Sequence, residues 1–131
     1  MEVMVNVMQT SVSTSLGQAR NHQVYCDRPE AKGGADEGAM GGELFLVGLG
    51  GCFMSNLLAA AKARESTADN FNVAITAQLD GTPPRFDAVE MIVSGDYDNR
   101  QEVEKLVVIA ERGCIVANTI KDAVALSIVV A

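Results

Sequence analysis

The chain has 131 residues, 48% of them hydrophobic and 21% charged, a balance that predicts one globular domain over residues 1–131 with enough apolar material for a core. A net charge of −7 without any basic patch repels phosphate backbones and excludes nucleic acid as a partner. Aromatic residues are only 5% and Trp is absent, which removes stacking platforms for bases or sugars.

Met1 to Met8 alternates weakly, with Val3, Val5 and Val7 on one side, and reads as a strand. Nothing in Met1-Glu2-Val3-Met4 resembles the basic start of a signal peptide, so the expected location is the cytoplasm. Gln9 to Gln18, rich in Ser and Thr, holds a second strand, Asn21-His22 a turn, and His22 to Asp27 a third strand. Pro29 to Gly42 has five glycines, one proline and several acids, and reads as a loop.

Glu43 to about Glu65 is predicted as a long helix, with Glu43 at the positive end of its dipole and Lys62 and Arg64 at the other. From Leu44 to Ala61 it carries no formal charge, the low edge of membrane-spanning length. Ser55, Asn56 and three glycines argue against a span, and a helix apolar nearly all round can be the centre of a soluble core. Such a helix needs cover on every side, so a second subunit is expected to supply part of it.

Phe71 to Asp80 alternates cleanly, with Phe71, Val73, Ile75, Ala77 and Leu79 facing one way, and reads as a half-buried strand. Gly81-Thr82-Pro83-Pro84 makes a turn and Arg85 to Gly95 returns, with Val89, Met91 and Val93 inward. Asn99 and Glu102 form a candidate capping box for a helix running to about Arg112 on the stripe Val103, Leu106, Val107 and Ala110. Gly113 suits the left-handed residue that ends such a helix. A short helix from Cys114 to about Asp122 and a strand from Ala123 to Val130 follow. Hairpin-linked strands with grouped helices predict an α+β fold.

Two thiols on structured elements beside a single histidine point to thiol chemistry rather than metal or acid–base chemistry. Cys114 stands at a helix start, where the dipole favours thiolate; it reads equally as a small buried hydrophobe. Cys52 follows Gly50-Gly51, a pair that fits close helix packing as well as ligand access. Position alone makes Cys114 the more acidic thiol. Cys26, between Tyr25 and Asp27, reads as structural, and His22 as a solvated turn residue.

The run Glu43-Leu44-Phe45-Leu46-Val47-Gly48-Leu49-Gly50-Gly51-Cys52 resembles the central-helix motif of the OsmC/Ohr family, in its OsmC-like branch. Cys114-Ile115-Val116-Ala117-Asn118-Thr119-Ile120 resembles the family's second motif, usually Cys-Pro-Val-Ser-x-Thr-Leu. The loop from Asp27-Arg28-Pro29 to Gly33-Gly34 and the run Pro84-Arg85-Phe86 also match, so the resemblance covers essentially the whole chain in order. It implies an intertwined α+β homodimer, antiparallel sheets around long buried central helices. It implies reduction of organic hydroperoxides, with Cys52 as the attacking thiol and Cys114 as its resolving partner through a Cys52–Cys114 disulfide. It further implies Arg20 and Glu43 as activators, an external dithiol as reductant, and no metal or bound cofactor. Phe45, Phe53, Met54 and Leu57 are expected to line the substrate site. This chain departs from the family pattern at Gly42, where the peroxidases place their Glu, at Ile115 for Pro and at Ala117 for Ser. One rival is a relative with a binding or stress role and little peroxidase activity, separated by peroxide consumption with a dithiol. The other is a membrane-anchored protein, separated by recovery in the soluble fraction without detergent.

Overall fold

The computed structural model describes residues 1–131, which fall into two units, Met1–Phe45 and Leu46–Ala131. The first unit is a three-stranded antiparallel sheet of β1 (Asn6–Gln9), β2 (Ser15–Ala19) and β3 (His22–Cys26), in that order. The first strand is shorter than its alternation predicts, because residues 1–5 pair with nothing and lie exposed. Val7 and Val24 are also exposed, so this sheet encloses no apolar core within its own unit.

Its two buried polar residues are Thr14 and Asp27. The Asp27 carboxylate accepts from the Thr14 hydroxyl at 2.9 Å and from the backbone N–H groups of Arg28, Ala35 and Glu37 at 2.7, 3.3 and 3.2 Å. It thereby gathers the loop after β3 against the β1–β2 connection. Burial raises the Asp27 pKa; the Glu37 N–H, the Thr14 hydroxyl, the Arg28 N–H and the Ser13 hydroxyl lower it more, to about 2. The loop is not wholly irregular: Glu30–Lys32 makes one 3-10 turn and Ala39 bridges to Cys26. Its glycines let backbone meet backbone, since a Cβ on Gly34 would stand 1.9 Å from the Arg28 carbonyl oxygen.

Helix α1 (Gly41–Ala63) starts two residues before Glu43 and runs into the second unit. The second unit pairs β4 (Asp69–Asp80) with β5 (Arg85–Asp96) as an antiparallel hairpin. Helices α2 (Arg100–Gly113) and α3 (Ile115–Ile120) then lead to β6 (Ala125–Val130), which lies parallel to β5. That parallel pairing corrects the expectation of purely antiparallel sheets: the two helices form the crossover that a parallel neighbour requires. Asn99 caps α2 by accepting from the Glu102 N–H at 3.1 Å. Glu102 does not complete the box, because its carboxylate accepts from the Ser66 hydroxyl instead.

The core of this unit takes Leu49, Phe53 and Leu57 from α1, each 0% exposed, spaced so that they share one helical face. Val89, Met91 and Val93 meet them from β5, and Val103, Leu106 and Ala110 from α2, as the two periodicities predict. The alternation of β4 holds for Phe71 to Ala77 and fails at Leu79, 66% exposed beyond a register shift at Gln78/Leu79. By length and composition α1 could cross a membrane, and its buried stripe nevertheless belongs to this core.

Candidate functional site

Cys52 and Cys114 belong to the same unit, and each perturbs the other electrostatically. Cys52 comes from the middle of α1, partly exposed, on a helix that Gly50 allows to lie close to β4. A Cβ on Gly50 would stand 2.6 Å from Cδ1 of Ile75, whereas one on Gly51 would meet nothing within 4 Å. The glycine pair therefore serves close packing at the first position and open space at the second.

Cys114 sits between α2 and α3 and is 0% exposed. It caps α3: its sulfur accepts from the Ala117 N–H at 3.4 Å. Asn118 fastens the junction by donating its amide to the Arg112 carbonyl at 3.0 Å. Gly113 was expected to be left-handed, and it is not. It closes α2 with ordinary backbone and is short of space instead, since a Cβ there would stand 2.7 Å from Oδ1 of Asn56.

The electrostatics reverse the acidity expected from position. Burial pushes the Cys52 thiol up; the Val116 N–H, the Cys114 thiol and the Ile115 N–H act against it and leave its pKa below the ordinary thiol value. Burial also pushes Cys114 up. The Ala117 and Val116 N–H groups lower it, but a hydrogen bond donated to Cys52 and the negative charge of a Cys52 thiolate raise it, so its pKa lies above the ordinary value. The N–H groups opening α3 serve the neighbouring sulfur as well as their own cap. The surroundings thus favour thiolate at Cys52 over Cys114. The pair titrates as a unit, and the asymmetry is in which sulfur keeps the proton.

Arg20 and Glu43 belong to the first unit. Arg20 occupies the two-residue turn between β2 and β3 at a left-handed φ of 56°, with its side chain exposed and without a hydrogen bond or ion pair in the chain. Glu43 lies in the first turn of α1, where Oε1 accepts from the Met40 N–H at 2.9 Å. Of the expected apolar lining, Phe53 and Leu57 are wholly buried in the core, Met54 is half-buried and Phe45 is 41% exposed. The first two therefore cannot touch a substrate. Cys26 is half-buried at the end of the edge strand β3, and His22 is exposed. No group of three or more His, Cys, Asp or Glu side chains is placed to hold a metal ion.

Two contributors escaped the sequence reading. One is the pair of backbone N–H groups at Ile115 and Val116; its visible signal was Ile115 where a proline would carry no N–H. The other is Asn56, whose side-chain N–H donates to the Cys52 carbonyl at 2.9 Å. Its signal was a polar residue four positions after a cysteine inside an apolar stretch, hence on the same helix face.

The family model described as OsmC-like protein matches residues 34–129. No curated protein matches the chain in sequence. Among solved structures, the chain is similar to an OsmC-like protein from Mycoplasma pneumoniae, at 14% identity and a TM-score of 0.86, covering 100% of this chain and 96% of that one. It is similar to an organic hydroperoxide resistance protein OsmC from Legionella pneumophila, at 20% identity and a TM-score of 0.75, covering 100% and 97%. It is also similar to the organic hydroperoxide resistance protein OhrB of Bacillus subtilis, at 18% identity and a TM-score of 0.70, covering 100% and 98%. At these identities the solved structures establish the α+β fold.

Proposed function

The chain belongs to the OsmC-like protein family, and we propose that within it this protein is a thiol peroxidase acting on organic hydroperoxides. What supports the reading is the unequal thiol pair, with a partly exposed Cys52 whose surroundings favour the thiolate and a buried Cys114 that they favour in the protonated form. The Cys52 thiolate attacks the distal peroxide oxygen. An S–O bond forms, the O–O bond breaks, and the departing alkoxide takes a proton to leave as alcohol, with Cys52 as sulfenic acid. The Cys114 sulfur then attacks the Cys52 sulfur; an S–S bond forms, the S–O bond breaks, and water leaves with the thiol proton. An external dithiol returns two electrons and two protons by exchange and becomes a disulfide itself. The cycle starts from reduced thiols, which suits the cytoplasm.

For Arg20 and Glu43 the family resemblance supports an activating role, with Arg20 supplying a cation to the thiolate. A second copy of this chain is the proposed cover for α1. Val47 and Leu58 are 64% and 51% exposed on it, and Gly48 and Gly51 are open to the close approach of another helix. Light scattering at micromolar protein should give a dimer; a stable monomer overturns that part.

Substoichiometric organic hydroperoxide, rapid mixing and intact mass test the chemistry. Cys52→Ser should abolish even the first turnover. Cys114→Ser should reduce one peroxide per site and then stall or overoxidise. A Cys52→Ser variant that keeps the first turnover overturns the assignment.

A further inference from the structure

We propose that Asn56 and Gly113 together act as a spacer that sets the separation of the two thiols, Asn56 being a positioning residue rather than a reacting one. The inference rests on Cys52 and Cys114 working as a couple. Asn56 is an unfavourable choice for the interior of an apolar helix and caps neither end of α1. Its Nδ2 donates to the Cys52 carbonyl, an oxygen with room for a second donor beside the ordinary helical one. That bond turns the amide toward the cysteine's own turn of α1.

The other end of the amide then faces the residue before Cys114. A Cβ on Gly113 would meet Oδ1 of Asn56 at 2.7 Å and its Cγ at 3.4 Å, contacts that require one partner to move. Gly113 has no left-handed φ to justify it, so another residue could adopt its backbone. The side chain of Asn56 is the obstacle. A planar amide of fixed width is thus held to the Cys52 turn on one side and stands against the Cys114 junction on the other. Widening this gap would draw the Cys114 thiol away from the Cys52 sulfur. Narrowing or freeing it would let the junction shift.

Gly113→Ala, Asn56→Ala and the double variant test the spacer in the full-length protein. The first readout is the pH dependence of iodoacetamide alkylation at Cys52, resolved from the other cysteines by peptide mass spectrometry. The second is the ratio of Cys52–Cys114 disulfide to overoxidised Cys52 after one equivalent of cumene hydroperoxide. Gly113→Ala should raise the apparent Cys52 pKa by about 1 unit, the scale of one lost hydrogen bond to a charged group, and lower the disulfide ratio. Asn56→Ala should shift the profile in the same direction by less. The double variant, in which the new methyl takes the room the amide vacates, should return toward the parent.

A Gly113→Ala profile identical to the parent, or a double variant shifted as far as Gly113→Ala, overturns the spacer. If Gly113→Ala does not fold, a folded double variant supports it. If neither folds, an Asn56→Ala profile equal to the parent overturns it and a shifted one supports it. Should the parent form no disulfide with peroxide, the peroxidase reading fails, while the alkylation profiles still decide the spacer.

Discussion

The two units are held together by opposite means. Residues 46–131 bury Leu49, Phe53, Leu57, Met91 and Leu106 completely and close around an apolar centre. Residues 1–45 bury a threonine and an aspartate, and carry Val7, Val24 and Tyr25 on the outside. One unit is stabilised by removing carbon from water; the other is organised by one carboxylate collecting donors. Cys52 and Cys114 belong to the first kind, where a rigid frame can hold two sulfurs at a set distance and desolvation sharpens every N–H aimed at them. The polar unit leaves its apolar faces unused within itself, which is the condition expected of a surface that meets a second copy.

The largest expected effect comes from attacking the apolar frame. Phe53→Ala should cost about 3–5 kcal/mol, against a total of about 5–15 kcal/mol for an ordinary domain, so urea unfolding should begin far earlier or the variant should fail to accumulate. A midpoint close to the parent's would mean that the unit has another anchor. Asp27 is the matching target in the polar unit. Its folded pKa of about 2 lies below the ordinary 3.8, so the unfolded chain takes up the proton first. Its stabilisation is complete above 3.8 and drains away as pH falls through about 2. Asp27→Asn should flatten stability against pH across that window. It should also expose the loop of residues 28–40 to limited proteolysis, because an amide replaces one acceptor oxygen with a donor facing N–H groups. Equal acid sensitivity in parent and variant would break the contrast between the units.

Periodicity made most of the apolar unit legible before any coordinates. The stripe of α2 and the alternation of β4 and β5 follow from one face needing burial, whereas α1, apolar nearly all round, offers no single stripe to read. The polar unit was legible only in outline, because exposed strands carry little pattern: Val3 and Val5 alternate as a strand would and pair with nothing. At the site, the two cysteines were recognisable from their motifs, but their relative acidity was not. Helix position implicates Cys114, yet the N–H groups of Ile115 and Val116 lower the Cys52 thiol, an effect of tertiary placement. Gly113 was read through backbone conformation when its reason is the side chain of Asn56, from a helix more than fifty residues earlier in the chain.

A finer test addresses those N–H groups. Ile115 is the first residue of α3 and its side chain is 74% exposed, so Ile115→Pro removes a backbone donor at the helical position where proline is best tolerated. Folding should be little affected. The Cys52 pKa should rise, by about 1 unit if the lost bond matches others to a charged acceptor, and alkylation near neutral pH should slow accordingly. An unchanged profile would assign the lowered pKa to the Cys114 thiol and the Val116 N–H alone.

The smallest expected effect asks whether the polar unit contributes to the chemistry at all. Arg20 holds a left-handed φ of 56° that costs an ordinary residue about 1–2 kcal/mol, and glycine would relieve it. Glycine also loses about 0.5–1 kcal/mol of conformational freedom on folding, so Arg20→Gly should leave stability within about 1 kcal/mol of the parent. The same change deletes the guanidinium. A change in reactivity with stability preserved is therefore a chemical effect and not a folding one. If Arg20 supplies the cation for the thiolate, the second-order rate constant of Cys52 with an organic hydroperoxide, followed by stopped flow, should fall severalfold. That fall should shrink at high salt, where an exposed charge is screened in the parent too. If the rate constant stays the same, Arg20 is a hairpin residue only. The division between the units then becomes complete, with all the chemistry resting on α1 and the α2–α3 junction.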